Sequence, residues 1–162
     1  MPKPDPDLAV TSSIIDRLID LEPNLSTDPQ VSRSQSVSQL KASLRRDLEW
    51  LLNTRRNPDA APDTYEELSQ SLYNYGLPDV TSLGLNSPQD KQRLLRHIEQ
   101  TIEIFEPRLA GIRVHALDDT GSGSRIMRFQ IDALLKMDPA PEQVFFDTVL
   151  QLNSGEYQVR GD

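Results

Sequence analysis

Phe105-Glu106-Pro107-Arg108 separates two different hydrophobic periods in this 162-residue chain. Upstream, apolar residues recur every three or four positions, which is typical of one buried helical face; they are Leu94, Leu95, Ile98, Ile102 and Phe105. Pro107 lacks a backbone N–H and disfavours helical geometry at Glu106, so the helix should end there. Downstream the period changes to that of a half-buried strand, with inward positions Ile112, Val114 and Ala116. The tetrapeptide therefore predicts a helix-to-strand corner that carries a carboxylate and a guanidinium.

Helices are predicted before this corner and strands after it. The helix that ends at Glu106 should begin behind Ser87, and an earlier one should run from a capping box at Ser36 and Gln39 to about Asn53. A short helix after Thr64 is predicted with its apolar side chains inward: Tyr65, Leu68 and Leu72. Strands are predicted at residues 111–117, 125–135, 144–152 and 156–159, the last two forming a hairpin. The fold class is α+β, with about four antiparallel strands and no parallel nucleotide-binding sheet.

The first 36 residues are rich in Pro, Ser, Asp and Gln, a composition that favours a flexible tail. Within it, one helical face carries Ile14, Leu18 and Leu21 behind a Ser12 or Ser13 cap. We interpret this island as a short docking helix, although a helix packed on its own core is the alternative. Residues 37–162 are then predicted to form one domain.

Composition limits the classes of partner. A net charge of −8 and a pI near 4.7 argue against binding to nucleic acid, which needs clustered Lys and Arg. The absence of cysteine excludes disulfides and thiol chemistry and suits a reducing compartment. No secretory signal or membrane-spanning run is recognisable, so we expect a cytoplasmic protein that does not insert in membranes.

The sequence contains few candidate catalytic or metal-binding residues. Glu106 with a second acid could form the carboxylate pair of a glycoside hydrolase, but Arg108 nearby would keep that carboxylate ionised. A structural or interfacial ion pair is the preferred interpretation. His97 and His115 lack metal-ligand spacing, so we expect neither metal nor cofactor. Trp50 is predicted to lie in the core among leucines.

Several segments together resemble a known family. They are Leu44-Arg45-Arg46-Asp47-Leu48-Glu49-Trp50-Leu51-Leu52-Asn53-Thr54-Arg55-Arg56, Leu72-Tyr73-Asn74-Tyr75-Gly76-Leu77-Pro78-Asp79, Ile98-Glu99-Gln100 and Phe105-Glu106-Pro107-Arg108-Leu109. In this order and spacing they resemble the TssE family of type VI secretion baseplate subunits, which is related to phage-tail wedge proteins once called lysozyme-like. The segment from Ile14 to Leu21 is similar to the family's N-terminal Leu-Leu-Asp-Arg-Leu-type motif.

The resemblance implies a structural role in a baseplate at the bacterial inner membrane. Such a subunit would bind other wedge proteins and start sheath assembly through its sheet, with no small-molecule substrate. The resemblance assigns assembly contacts to Glu106, Pro107 and Arg108. The hairpin at residues 144–159 is the candidate for an exposed sheet edge. A cell-wall hydrolase with Glu106 as general acid is the rival hypothesis.

Overall fold

A computed structural model describes residues 10, 13–19, 23–24, 32–59, 64–79, 87–117 and 126–161. Three α-helices precede the sheet: α1 (Ile14–Leu18), α2 (Arg33–Asn53) and α3 (Pro88–Phe105). Two short 3-10 helices, Glu66–Gln70 and Leu72–Asn74, lie between α2 and α3. Four strands follow: β1 (Leu109–Ala116), β2 (Ile126–Leu135), β3 (Glu142–Gln151) and β4 (Glu156–Gly161). The predicted α+β class, with helices first and strands second, is confirmed.

The strands form one antiparallel sheet in the order β1-β2-β3-β4. One face is covered by the two long helices, α2 against β4 and α3 against β1. Alternate residues of each strand are buried there, because successive side chains of a strand point to opposite faces; they include Val114, Phe129, Ile131, Phe146, Leu150 and Tyr157. The opposite face carries polar residues, among them Arg113, His115, Gln130 and Asp147. The core is therefore a single layer between two helices and one face of the sheet.

The corner at Glu106 is confirmed. α3 begins behind Ser87, whose hydroxyl accepts a hydrogen bond from the backbone N–H of Gln89, and Pro88 occupies the first turn. It ends at Phe105, and Glu106 has left helical geometry with φ −121° and ψ 79°. β1 starts three residues later, at Leu109. The loop predicted between the first two strands, residues 118–124, lies outside the described residues.

The predicted start of α2 is wrong by one helical turn. The capping box is formed by Ser32 and Gln35, and the helix begins at Arg33. The same Ser-x-x-Gln spacing occurs twice in succession here, so the motif alone did not select between them. Ser36 is buried inside the helix, where its hydroxyl donates to Arg33 O and accepts from the N–H of Val10. The boundary between residues 36 and 37 therefore falls within α2, and the division into tail and domain stays a prediction.

The segment between α2 and α3 departs from prediction. The chain after Thr64 forms a 3-10 helix without a side-chain cap, and Tyr65 and Leu72 point outward instead of into the core. This segment is held in place by backbone hydrogen bonds to the residues that follow α2. Leu77 N–H donates to Thr54 O, and Arg56 N–H donates to Leu77 O. Gly76 makes the close approach possible, since its φ is +100° and a Cβ there would lie 2.2 Å from Thr54 O.

Within the described ranges, no helix has the length and apolar character needed to cross a membrane.

Candidate functional site

Glu106 and Arg108 bind each other at the corner. Arg108 Nε lies 2.6 Å from Glu106 Oε1, and Arg108 Nη2 lies 2.6 Å from Glu106 Oε2, a bidentate ion pair. Glu106 is only 5% exposed, whereas a quarter of the Arg108 side chain remains accessible. The hydrogen bond from Arg108 to Glu106 is the main reason that the pKa of Arg108 is raised above its usual value. The carboxylate therefore serves to hold the guanidinium in place.

Backbone contacts fix the two ends of the corner. Leu109 N–H donates to Glu106 O, and Lys136 N–H donates to Arg108 O from the end of β2. The Lys136 ammonium lies 2.9 Å from Pro107 O. Pro107 itself is exposed between these fixed residues. The corner thus presents Pro107 and one side of Arg108 from a rigid support.

The ion pair continues into the two N-terminal helices. Arg108 Nη2 also binds Asp47 Oδ2 on α2 at 2.7 Å, and Asp47 Oδ1 accepts from Arg46 Nη2 at 2.9 Å. Arg46 Nη2 in turn binds Asp16 Oδ1 on α1 at 2.7 Å. We call these five residues, Asp16, Arg46, Asp47, Arg108 and Glu106, the ion-pair chain. It connects α1, α2 and the α3–β1 corner through charges of alternating sign.

Tyr75 lies beside this chain. Its ring packs edge-to-face on Phe105, with 5.2 Å between the ring centroids. The pKa of Tyr75 is raised by its burial and by the nearby charges of Asp47 and Glu106. Three of the sequence segments that carry the family resemblance therefore meet around the ion-pair chain: the one with Asp47, the one with Tyr75 and the one with Phe105 to Arg108.

α1 presents its apolar residues to solvent. Ile14 is 76% exposed and Leu18 is 79% exposed, and Ile15 and Ile19 are also exposed. The helix is capped by Ser13, whose Oγ accepts from Asp16 N, and it is attached to α2 through the bond between Asp16 and Arg46. The alternative in which this helix packs on its own core does not apply to Ile14 and Leu18. Leu21, the third predicted docking residue, lies outside the described residues.

The predicted core position of Trp50 is wrong. Trp50 is 57% exposed, and the Arg46 guanidinium lies 4.9 Å from its ring centroid. The leucines beside it occupy the buried stripe of α2, and Trp50 falls one turn after Arg46 on the other side of the helix. Trp50 therefore belongs to the same surface as the ion-pair chain.

The C-terminal hairpin contains one edge strand and one interior strand. β4 is an edge of the sheet, but β3 pairs with β2 on one side and β4 on the other. Val149, for example, lies opposite both Arg128 and Gln158. The prediction that the whole hairpin at residues 144–159 forms an edge is therefore corrected to β4 alone, and the second edge is β1.

The geometry does not suit Glu106 for acid catalysis. Both of its carboxylate oxygens accept hydrogen bonds from Arg108, so neither is positioned to protonate a glycosidic oxygen. A shallow cavity of about 200 Å³ lies elsewhere, between the end of α2 and the β3–β4 turn, and its lining includes Asn53, Arg55, Asp79 and Glu156. His97 lies on α3 and His115 on β1, where His115 Nε2 is 3.7 Å from Asp132 Oδ2. The described residues contain no group of three or more potential metal ligands.

Sequence reasoning found Glu106 and Arg108 but missed three members of the ion-pair chain. Asp16, Arg46 and Asp47 lie in segments that resemble the family, yet nothing in their spacing shows that they approach Arg108. Asp47 and Arg108 are separated by 61 positions, so only the packing of α2 beside the corner brings them together.

Comparison with known proteins gives two matches. A family model described as baseplate wedge protein gp25 matches residues 38–140, more than half of the chain. A solved structure titled "The baseplate complex from the type VI secretion system" contains a chain that is 19% identical, with a TM-score of 0.48. That alignment covers 70% of this chain and 96% of the other. No functionally curated protein matches at a significant level.

Proposed function

The chain belongs to the gp25 baseplate wedge family, and we propose that it is a structural subunit in the baseplate of a contractile type VI secretion apparatus. It binds other wedge subunits and the sheath protein rather than a nucleic acid or a small-molecule substrate, and it needs no cofactor. It acts on the cytoplasmic side of the bacterial inner membrane, where the assembly docks. The observation that carries this proposal is the ion-pair chain, because it unites segments of the family resemblance in one rigid surface.

The first contact surface is the corner itself. Pro107 is exposed and Arg108 is partly exposed, while Glu106 is buried behind them. A partner carboxylate or backbone carbonyl can bind the accessible side of the guanidinium, whose orientation is already fixed by Glu106 and Asp47. The Arg108 side chain then loses little conformational entropy when a partner binds. This favours a contact that fixes the position of the partner relative to this subunit.

The second contact surface is the exposed face of α1. Ile14 and Leu18 lie one turn apart, the spacing by which an amphipathic helix docks in an apolar groove of a partner. The Asp16–Arg46 pair holds this helix next to the corner. A wedge partner that contacts both the corner and the exposed face of α1 would therefore lie against both ends of the ion-pair chain.

The third contact surface is an edge of the sheet. Edge strands present backbone N–H and C=O groups that an extended segment of another protein can pair with. A sheath subunit that adds a strand there would be oriented by the baseplate from its first contact. Sheath assembly would then begin on this subunit.

The test is a pull-down from a lysate of cells that produce the secretion apparatus. The bait proteins are the wild type, a Glu106→Ala variant and an Ile14→Ser/Leu18→Ser variant, each confirmed to be folded by circular dichroism. We expect the wild type to recover wedge and sheath proteins and both variants to recover less. If the folded wild type recovers neither class of protein, the proposal is wrong.

A further inference from the structure

The segment that contains Val10 and α1 lies along α2 in the same direction. Val10 N–H donates to Ser36 Oγ at 2.9 Å, and Asp16 Oδ1 accepts from Arg46 Nη2 at 2.7 Å. Because positions 36 and 46 are about three turns apart, these two contacts are separated by roughly 15 Å along the axis of α2. α1 is therefore held against the middle of α2, next to Asp47.

α1 is the element of the ion-pair chain with the least stability of its own. It has five residues, none of them buried, and isolated helices shorter than about 12–15 residues are marginal in water. Its apolar side chains are exposed, so burial of apolar surface contributes little to its position. An element with so few buried contacts opens locally at low free energy. α1 therefore has two states, docked on Arg46 and released from it.

The carboxylate of Asp47 lies between two guanidinium groups. Its Oδ1 accepts from Arg46 Nε at 3.1 Å and from Arg46 Nη2 at 2.9 Å, and its Oδ2 accepts from Arg108 Nη2 at 2.7 Å. Each arginine therefore uses one oxygen of Asp47. None of the five side chains in the ion-pair chain is more than 33% exposed, so salt and water screen these charges only in part.

Asp16 determines which oxygen of Asp47 is used by Arg46. Arg46 Nη2 donates to Asp16 Oδ1 and to Asp47 Oδ1, so it is held away from Asp47 Oδ2. Without Asp16, this nitrogen can turn towards Oδ2, because a guanidinium and a carboxylate pair best through two parallel bonds that use both oxygens. Oδ2 is the oxygen that binds Arg108. The docked position of α1 therefore prevents competition between the two arginines for Asp47.

We propose that the docking of α1 on Arg46 controls how firmly the Arg108 guanidinium is held at the corner. With α1 docked, Glu106 and Asp47 both bind Arg108; with α1 released, Arg46 takes Asp47 Oδ2 and Arg108 keeps only Glu106. Coupling between two sites is reciprocal, so a protein that holds Arg108 in place also stabilises docked α1. In the assembly, and resting on the proposed function, a wedge partner then binds the corner more tightly while α1 is docked.

NMR of the full chain without any partner tests this coupling. The measured quantity is the rate at which the Arg108 guanidinium rotates about its Nε–Cζ bond, because this rotation breaks the Nη2 bonds to Glu106 and Asp47. We expect Asp16→Asn to speed the rotation about threefold. Arg17→Gln, a matched change on α1 that leaves Asp16 in place, should have no effect on it.

Trp50 reports the position of Arg46 in the same samples. It is the single tryptophan of the sequence, and the Arg46 guanidinium lies 4.9 Å from its ring centroid. Trp50 fluorescence should change in Asp16→Asn and stay at the wild-type value in Arg17→Gln. A changed fluorescence with unchanged rotation of Arg108 would show that Arg46 moves without any effect on the corner, and the proposal would be wrong. Unchanged signals at both residues would refute it as well, because Arg46 would then not respond to α1.

Two double variants test whether the effect passes through Asp47. In an Asp47→Asn background, Asp16→Asn should no longer speed the rotation of Arg108, because the shared carboxylate is gone. In an Arg46→Gln background it should also have no effect, because the competing guanidinium is gone, and this pair decides the matter if Asp47→Asn fails to fold by circular dichroism. A threefold change that persists in a folded background would mean that Asp16 acts on Arg108 without this competition, contrary to the proposal.

These results are separable from the proposed function, since the NMR and fluorescence measurements use the subunit alone. If Asp16→Asn changes Arg108 as expected and the pull-down recovers no wedge or sheath protein, the coupling stands and the baseplate role is refuted. If wedge proteins are recovered and Arg108 does not respond to Asp16→Asn, the baseplate role stands and the coupling is refuted.

Discussion

Asp47 Oδ2 on α2 lies 2.7 Å from Arg108 Nη2 at the corner between α3 and β1. This bond joins the two halves of the ion-pair chain, since Asp47 also binds Arg46 and Arg108 also binds Glu106. Both side chains of the bond are about one quarter exposed. The contact therefore couples the position of the N-terminal helices to the part of the corner that faces outward.

Glu106→Gln should destabilise the fold by about 1–3 kcal/mol, because it removes the charge that pairs with a partly buried guanidinium. Urea unfolding measures the change. Glu103→Gln, on the exposed side of the last turn of α3, is the matched control, and it should alter the free energy of unfolding by less than about 0.5 kcal/mol. Equal effects of the two substitutions would mean that the Glu106–Arg108 pair contributes nothing to stability.

Gly76→Ala should destabilise the protein by about 3 kcal/mol or more. The added Cβ would lie 2.2 Å from Thr54 O, and the φ of +100° is itself unfavourable for alanine. Gly111→Ala is the matched control, since Gly111 has φ +61° but nothing within 4 Å of the added Cβ, so only about 1 kcal/mol is expected. Comparison of the two melting curves separates steric conflict from backbone strain. A larger destabilisation by Gly111→Ala would contradict a steric conflict at Gly76.

The attachment of α1 should weaken in acid. Burial acts to raise the pKa of Asp16, but its bonds with Ser13 and Arg46 hold the pKa below its ordinary value of 3.8. A carboxylate with a lowered folded-state pKa stabilises the fold above its unfolded-state pKa and loses that contribution as pH falls through the folded-state pKa. Asp16→Asn should therefore cost about 0.5 kcal/mol at neutral pH. The difference from wild type should shrink as the pH falls below 3.8 and vanish once the pH is below the lowered folded-state pKa of Asp16.

The measurement for Asp16→Asn is the free energy of urea unfolding at a series of pH values. Serine in place of Asp16 gives a second neutral variant that should follow the same profile. A difference that persists unchanged in acid would show that Asp16 acts through packing rather than through its charge.

The apolar face of α1 should matter for binding and not for folding. Ile14→Ser/Leu18→Ser changes two side chains that are more than three quarters exposed, so the free energy of unfolding should shift by less than about 0.5 kcal/mol. Recovery of wedge proteins in the pull-down should fall strongly. Leu72→Ser is the control, because Leu72 is 85% exposed but lies outside α1. If Leu72→Ser lowers the recovery of wedge proteins as much, the exposed apolar residues bind non-specifically and α1 is not a docking helix.

Much of the fold follows from local pattern. Pro107 and the change of hydrophobic period located the end of α3 at Phe105 and the start of β1 nearby. The strands were recognised by strict alternation, and their observed bounds differ from prediction by two residues or fewer. These features depend on backbone sterics and on burial of one face, which the local sequence encodes.

Features that depend on distant contacts were not predicted. Tyr65 and Leu72 have the spacing of a buried face, but the backbone bonds between Thr54 and Leu77 order that segment instead. Trp50 was predicted to lie in the core because of its leucine neighbours, whereas it lies on the exposed side of α2 beside Arg46. The hydrogen bonds of Asn53 with Tyr157 and of Glu99 with Val114 at the sheet edges are likewise invisible until α2 and α3 are packed against the sheet.

Reconstitution of the purified full chain with the wedge subunits of the same secretion system, followed by measurement of the mass of the complex, tests whether this chain is a baseplate subunit. We predict a stable complex that contains this chain, and a smaller yield with Arg108→Ala than with Arg45→Ala, a control on the exposed surface of α2. If the folded chain elutes alone in the presence of every wedge subunit, it is not a structural subunit of that baseplate.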